Sequence, residues 1–230
     1  MNAIVDRLRD QVLEARGRRR LEIRGGGSKS WYGASDPEAE PLEVGMLSGI
    51  IRYEPSELVL TAYGGTPLAE VEALLVRHRQ WLPFSPPHFA DSATIGGAVA
   101  SGLSGPTRWG HGALRDYVLG VRVLDGQGRV LRFGGEVMKN VAGYDVSRLF
   151  AGSLGTLGVI LEVSLKVLPL PPATRTLRFA CSQDEAIERF NRLAGQPLPL
   201  SAGVWWQGES TLRLAGARAA VEAAATRLGG

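Results

Sequence analysis

The chain has 230 residues, 44% of them hydrophobic and 21% charged, a balance that excludes a disordered chain and fits one large or two smaller globular domains. Its formal charge of +3 is spread over Arg residues interleaved with acids. The one cluster, Arg18-Arg19-Arg20, reads as a solvated helix end, so the basic face interleaved with aromatics that a nucleic-acid partner needs is missing.

A single cysteine, Cys181, excludes an internal disulfide framework and a multi-thiolate metal site, and it suits a reducing compartment. The first residues carry no charged-then-apolar signal pattern, and no stretch approaches the roughly 20 apolar residues that cross a bilayer. No direct membrane insertion is expected. The 30 glycines are the unusual figure, and they are clustered, which suits places where backbone turns sharply or approaches a ligand.

Ile4, Val5, Leu8 and Val12 recur at helical spacing up to Gly17 and predict an opening amphipathic helix. Leu21 to Arg24 alternates as a short strand that runs into Gly25-Gly26-Gly27-Ser28-Lys29-Ser30. After a polar loop, Ile50 to Tyr53 and Leu58 to Tyr63 read as two strands. Thr66-Pro67 opens a helix whose buried face is expected to carry Leu68, Val71, Leu75 and His78.

Periodicity fails from Pro83 to Gly112, where only Ile95 to Ser101 suggests an element, strand or helix; such failures mark candidate sites. Val118 to Leu124 and Val130 to Phe133 flank the turn Asp125-Gly126-Gln127-Gly128 as a hairpin. Asp145 to Ala151 suits a short helix closed by Gly152, and Val159 to Leu168 alternates as a long strand. Pro169, Pro171 and Pro172 then place a domain boundary, giving domains 1–170 and 173–230.

In the second domain Thr174 to Phe179 predicts a strand. Ser182 and Glu185 form a capping box for a helix with Ala186, Ile187, Phe190 and Leu193 inward. Two strands, Ser201 to Trp206 and Thr211 to Leu214, precede an alanine-rich helix, Ala217 to Leu228. This order lacks the last strand of a ferredoxin-like unit, so a truncated substrate or cap domain is expected. Trp205 and Trp206 must point to opposite sides, one toward the last helix and one toward a partner or the missing strand.

Three glycine clusters carry the chemistry. Gly25 to Lys29 exposes successive backbone N–H groups in a concavity suited to pyrophosphate oxygens, with the Ser28 hydroxyl and Lys29 ammonium as added donors. The spacing fits neither a P-loop nor a dinucleotide fingerprint. Asp91 to Gly97 has the same character, and Gly152 to Gly158 offers bare backbone on which a flat ring can lie.

In order along the chain, the motifs GGGSKS at 25–30, ATIGG at 93–97, RDYVLGVRVLDGQGRVLRFGG at 115–135 and KNVAGYDVSRLFAGSLGTLGVI at 139–160 resemble the vanillyl-alcohol oxidase (PCMH-type) flavoprotein family. The resemblance covers about three quarters of the chain. Lys139-Asn140-Val141 ahead of Gly143-Tyr144-Asp145, with Leu154 where many relatives carry glutamate, looks most like the FAD-binding subunits of bacterial glycolate oxidases. The fold it implies is α+β: two α+β subdomains with FAD between them, followed by the incomplete ferredoxin-like domain.

By that resemblance the cofactor-binding residues are Gly25, Gly26, Gly27, Ser28, Lys29, Ala93, Thr94, Gly96, Gly97, Ser101, Arg108, Asp116, Val159 and Ile160, with both glycine loops gripping the pyrophosphate. No histidine lies between Gly25 and Ser30, so the FAD is expected to be non-covalent. The relatives imply a small 2-hydroxy acid substrate, a second FAD-containing catalytic subunit and an iron–sulfur subunit. A cytoplasmic location follows, with membrane association through partners.

Oxidising a 2-hydroxy acid takes a base, a carboxylate-binding cation and a flavin. Of the three histidines, His78 is expected on a buried helix face, and His88 and His111 in loops near the flavin, where a solvated role outweighs a catalytic one. No metal site and no catalytic residue is assigned; Lys139 and Tyr144 are site candidates by motif, Tyr144 equally a core residue. Two alternatives stay open: a self-sufficient dehydrogenase with catalytic residues beyond Gly230, and a flavinless scaffold.

Overall fold

The apolar stripe at the start of the chain folds, in the computed structural model, as α1 (Asn2–Ala15), and Gly17, at a φ of +71°, stops it. Residues 2–34, 36–135 and 144–229 are described. They fall into two compact units, one comprising 1–82, 86–103 and 113–168, the other 83–85, 104–112 and 169–230.

In the first unit α1 buries Val5, Leu8 and Val12 against Leu42, Leu47, Leu124, Val159 and Leu161. β1 (Leu21–Arg24) pairs in parallel with β2 (Glu40–Glu43). The polar loop expected there thus contains a strand. Its sequence, Glu40-Pro41-Leu42-Glu43, buries only Leu42, so it carries no alternation for a sequence reading to detect.

A five-stranded antiparallel sheet forms the body of this unit: β3 (Ile50–Glu54), β4 (Val59–Tyr63), β5 (Val118–Leu124), β6 (Val130–Gly134) and β7 (Val159–Lys166), in the order β3-β4-β7-β5-β6. The β5–β6 hairpin closes where Asp125 Oδ1 accepts from the N–H groups of Gln127 and Arg129, both at 2.9 Å, and Gly128 adopts a φ of +74°. β7 alternates in sequence, but its polar positions are buried as well. Ser164 shares a hydrogen bond with Thr61 at 2.8 Å, and Glu162 accepts from Arg122 at 2.5 Å.

α2 (Leu68–Arg77) follows Pro67 and buries Leu68, Val71 and Leu75. His78 is the residue that ends it, exposed and edge-on to Tyr53, so it is not on the buried face as expected. The segment Ile95–Ser101 is a helix, α3, with the Thr94 hydroxyl accepting from Gly97 N–H at its start. Ser147–Phe150 is a single 3₁₀ turn within the stretch read as a short helix. Among the described residues no helix is long and apolar enough to cross a membrane.

The second unit holds β8 (Ala173–Ala180), α4 (Gln183–Ala194), β9 (Leu200–Trp206), β10 (Glu209–Gly216) and α5 (Arg218–Leu228), with the antiparallel sheet order β8-β10-β9. The Ser182 capping box is present in both directions: Glu185 N–H donates to Ser182 Oγ, and Ser182 N–H donates to the Glu185 carboxylate. Leu177, Leu193, Leu212, Leu214 and Val221 form the core. Ile187, expected inward, is exposed. Trp205 donates its indole N–H to Cys181 O at 3.0 Å, while Trp206 lies exposed. A helical turn not read from the sequence, Arg108–His111, belongs to this unit, and its Trp109 packs against Phe190.

Because Leu8 is fully buried in the α1 cluster, Leu8→Ala removes both apolar transfer energy and packing. It is expected to cost about 2–5 kcal/mol of stability, read as a lower urea midpoint at unchanged slope.

Candidate functional site

β1 feeds the chain into the first glycine cluster, and the second cluster comes up against it. Ser92 Oγ donates to the Gly26 carbonyl at 2.6 Å, and a Cβ on Gly26 would collide with the Ser92 carbonyl. A Cβ on Gly25 would collide with the Thr94 hydroxyl. Gly27 sits at a φ of +68° with open space where a side chain would be. The two bends therefore touch through bare backbone, a contact that side chains there would prevent.

Beside this contact is a cavity of about 540 Å³, in the size range of sites for cofactors and drug-sized ligands. It brings together Gly25, Gly26, Gly27, Ser28 and Lys29 with Thr94, Gly96, Gly97, Ser101 and Ile160. Leu154, Gly155, Thr156 and Gly158 of the third cluster also line it.

The donors are unevenly shared. Among the described residues no acceptor is found for the backbone N–H groups of Gly26, Gly27, Ser28 or Lys29, which leaves four successive donors at the cavity. In the second bend Gly96 N–H donates to Gly64 O at 2.8 Å and Gly97 N–H to Thr94 Oγ1 at 3.2 Å. That bend thus supplies shape and close packing, with a Cβ on Gly96 coming within 2.6 Å of Gly64 O, where the sequence reading gave both bends the same gripping role.

Lys29 is the cation of the site. Its ammonium is half-buried, 3.5 Å from the Ser28 hydroxyl and 5.8 Å from the centre of the Phe89 ring. Burial pushes its pKa down. The other cations lining the cavity have carboxylates: Arg24 holds Glu22 at 2.7 Å and Arg20 holds Asp36 at 2.6 Å. Among the described residues none supplies a carboxylate to Lys29. Arg20, Glu22, Arg24, Tyr32 and Asp36 are cavity residues that sequence reasoning missed. Only the alternation of β1, which places 20, 22 and 24 on one side, signals three of them.

Four expected site residues lie off the cavity lining. Ala93 is fully buried, its carbonyl accepting from Leu68 N–H, and Val159 faces the α1 core. Asp116 is exposed and occupied locally, accepting from Ala113 N–H at 3.0 Å with Arg148 at 3.8 Å. Arg108 is exposed in the helical turn of the second unit.

Of the histidines, His88 bonds Glu72 of α2 at 2.9 Å and lies off the lining, and His111 ends the Arg108 turn in the second unit. Tyr144 is 95% exposed, which rules out the core position considered for it. Lys139, Asn140 and Val141 lie outside the described residues.

Four open amides, an unpaired half-buried ammonium and bare backbone at a cavity of this size suit a diphosphate carrying flat rings. A profile of the FAD binding domain family matches residues 6–134, and the chain belongs to that family; its cofactor is FAD. Glycolate oxidase subunit GlcE of Escherichia coli (strain K12) is 48% identical over 210 residues, which are 91% of this chain and 60% of that protein. Glycolate oxidase subunit GlcD of Bacillus subtilis (strain 168) is 44% identical over 85 residues, 37% of this chain and 18% of that one. A solved structure of alkyldihydroxyacetonephosphate synthase matches with a TM-score of 0.75 over 96% of this chain and 47% of its own, at 17% identity. The fold is the α+β fold of PCMH-type FAD-binding proteins. The chain spans 60% or less of the length of each of these relatives.

Gly26→Ala is expected to part the two bends and abolish FAD retention, seen as loss of yellow colour on gel filtration while far-UV circular dichroism is unchanged. Lys29→Met is expected to weaken FAD binding roughly 10- to 100-fold, the range for a charge-assisted hydrogen bond, and to leave the cofactor-free protein no less stable.

The pH dependence has a definite sign. Between its lowered folded pKa and the unfolded value Lys29 binds fewer protons folded than unfolded, so its contribution to cofactor-free stability rises with pH across that window. A bound phosphate favours the protonated form. FAD affinity is therefore expected to fall as pH rises through the Lys29 value, and Lys29→Met to flatten that limb in a titration of the dissociation constant.

Proposed function

We propose that this chain is the FAD-binding subunit of a glycolate-oxidising complex, taking electrons from a small 2-hydroxy acid and passing them to partners. The observation that carries the reading is the run of open amides from Gly26 to Lys29 beside an ammonium without a carboxylate. The likeness to GlcE along 91% of the chain supports the complex and the substrate class.

Bound FAD supplies a two-electron acceptor for the hydrogen on the substrate's hydroxyl-bearing carbon. The chain's own residues bind and orient. The amides of Gly26, Gly27, Ser28 and Lys29 take the diphosphate oxygens, and the Lys29 ammonium offsets their charge. Ser92 holds the first bend through the Gly26 carbonyl, and Gly96 and Gly97 let the second bend close against it. In this reading residues 1–170 hold the cofactor, and residues 173–230 are part of a cap or substrate domain.

None of the three histidines lines the cavity: His78 ends α2, His88 is tied to Glu72, and His111 ends the turn in the second unit. In this reading a second FAD-containing catalytic subunit supplies the base and the carboxylate clamp, and an iron–sulfur subunit carries the electrons onward. The complex is placed in the cytoplasm, with any membrane association made through those partners.

Purified chain is expected to show a flavin absorbance spectrum and to release all its FAD into the supernatant on acid precipitation, since residues 25–30 offer no histidine for a covalent link. Anaerobic glycolate is expected to bleach the flavin only when the partner subunits are co-expressed. A colourless chain that cannot be reconstituted with FAD overturns the proposal, and bleaching of the isolated chain by glycolate overturns the division of labour.

A further inference from the structure

Three large aromatic side chains stand exposed around the first glycine bend: Trp31 is 61%, Tyr32 40% and Phe89 56% accessible. They form a chain of edge contacts. Trp31 meets Phe89 with ring centres 5.0 Å apart at 79°, and it meets Tyr32 at 5.7 Å and 65°. Lys29 Nζ lies 5.8 Å from the Phe89 ring centre, so the same cluster that orders the rings also positions the cation of the site.

Tyr32 alone of the three lines the cavity. It is fixed there by the backbone, its N–H donating to Lys29 O at 2.9 Å across the turn that closes the bend. Exposed apolar rings in mutual contact mark a surface that has a use. A T-shaped contact also sets the plane of each ring, which reduces the entropy lost when a flat ligand stacks on it.

We propose that Tyr32 is a stacking platform for one of the two ring systems of FAD, with Trp31 bracing it and Phe89 in turn bracing Trp31. This rests on the FAD reading above and adds to it a residue role outside the glycine loops. The recognition is by π-stacking on a flat heteroaromatic ring, so the phenol hydroxyl is dispensable and the ring is not.

The test uses the whole chain, stripped of cofactor and titrated with FAD, with the dissociation constant read from flavin emission. Tyr32→Ala is expected to weaken binding roughly 3- to 10-fold, the scale of one aromatic stacking contact, and Tyr32→Phe to bind as wild type. Wild-type tryptophan emission is expected to be quenched as FAD enters, and Trp31→Phe to lose most of that quenching, although four tryptophans remain.

Titration with ADP, which carries adenine and a diphosphate, and with FMN, which carries the flavin ring, identifies which ring is stacked. A Tyr32→Ala effect on either probe supports the platform and names its ring. If wild type binds FAD while folded Tyr32→Ala binds it equally well, the platform is overturned and the FAD reading stands. If wild type binds no FAD, the FAD reading falls and the platform with it.

Discussion

The site depends on one close approach, that of the Gly26 backbone to the Ser92 carbonyl. Neither bend could come so near with a side chain at position 26, and the Ser92 hydroxyl locks the contact by donating to the Gly26 carbonyl. Ser92 Oγ donates to the Gly26 carbonyl and Ser30 N–H to the Gly27 carbonyl, which fixes the bend through its acceptors and leaves its N–H groups open at the cavity. A run of four open donors at the wall of a cavity suits a site that fills with an acceptor-rich group.

Charge at the cavity follows the same logic. Arg20 and Arg24 are neutralised by Asp36 and Glu22, so they add structure to the wall without adding field. Lys29 is half-buried with its ammonium over the Phe89 ring, and burial lowers the pKa of an ammonium that no carboxylate offsets. Open amides and an uncompensated cation within one hexapeptide make the first bend the anion site, while the second bend, its glycine amides already engaged, acts as the surface on which the first is moulded.

Much of this was legible in the sequence because local rules and tertiary structure agreed. The α1 stripe, the hairpin around Asp125 and the Ser182 capping box each carry a signal with a mechanism and took the expected form, and residues of all three glycine clusters meet at one cavity. The misreadings share a cause, which is that partners distant in sequence decided the outcome. β2 is a strand only because β1 pairs with it, and the Arg108 turn packs through Trp109 on Phe190, some eighty residues away. His78 and Ile187 sat at plausible helical spacings, yet the spacing could not reveal where α2 ends or how wide the buried stripe of α4 is. Arg108 and Asp116 were carried by resemblance alone, and their neighbours in space were invisible to it. The distribution of amide donors between the two bends was likewise hidden, since it turns on the Gly64 carbonyl and the Thr94 hydroxyl as acceptors.

β7 explains why the opening helix matters to a cavity it does not line. Val159 belongs to the α1 core while its neighbour Ile160 lines the cavity, and the strand is preceded by Gly158, which has a φ of +137° and lines the cavity with the third glycine cluster. Successive residues of a strand point to opposite faces, so any shift that relieves the core at Val159 moves Ile160 by a like amount. Gly64 then presses its backbone against the Ile160 carbonyl, and Gly96 packs on Gly64 in turn, so the displacement passes to the second bend through contacts with no side chain to absorb it. The core under α1 and the loops that line the cavity are thus linked in space through β7 and the close backbone approaches at Gly64 and Gly96.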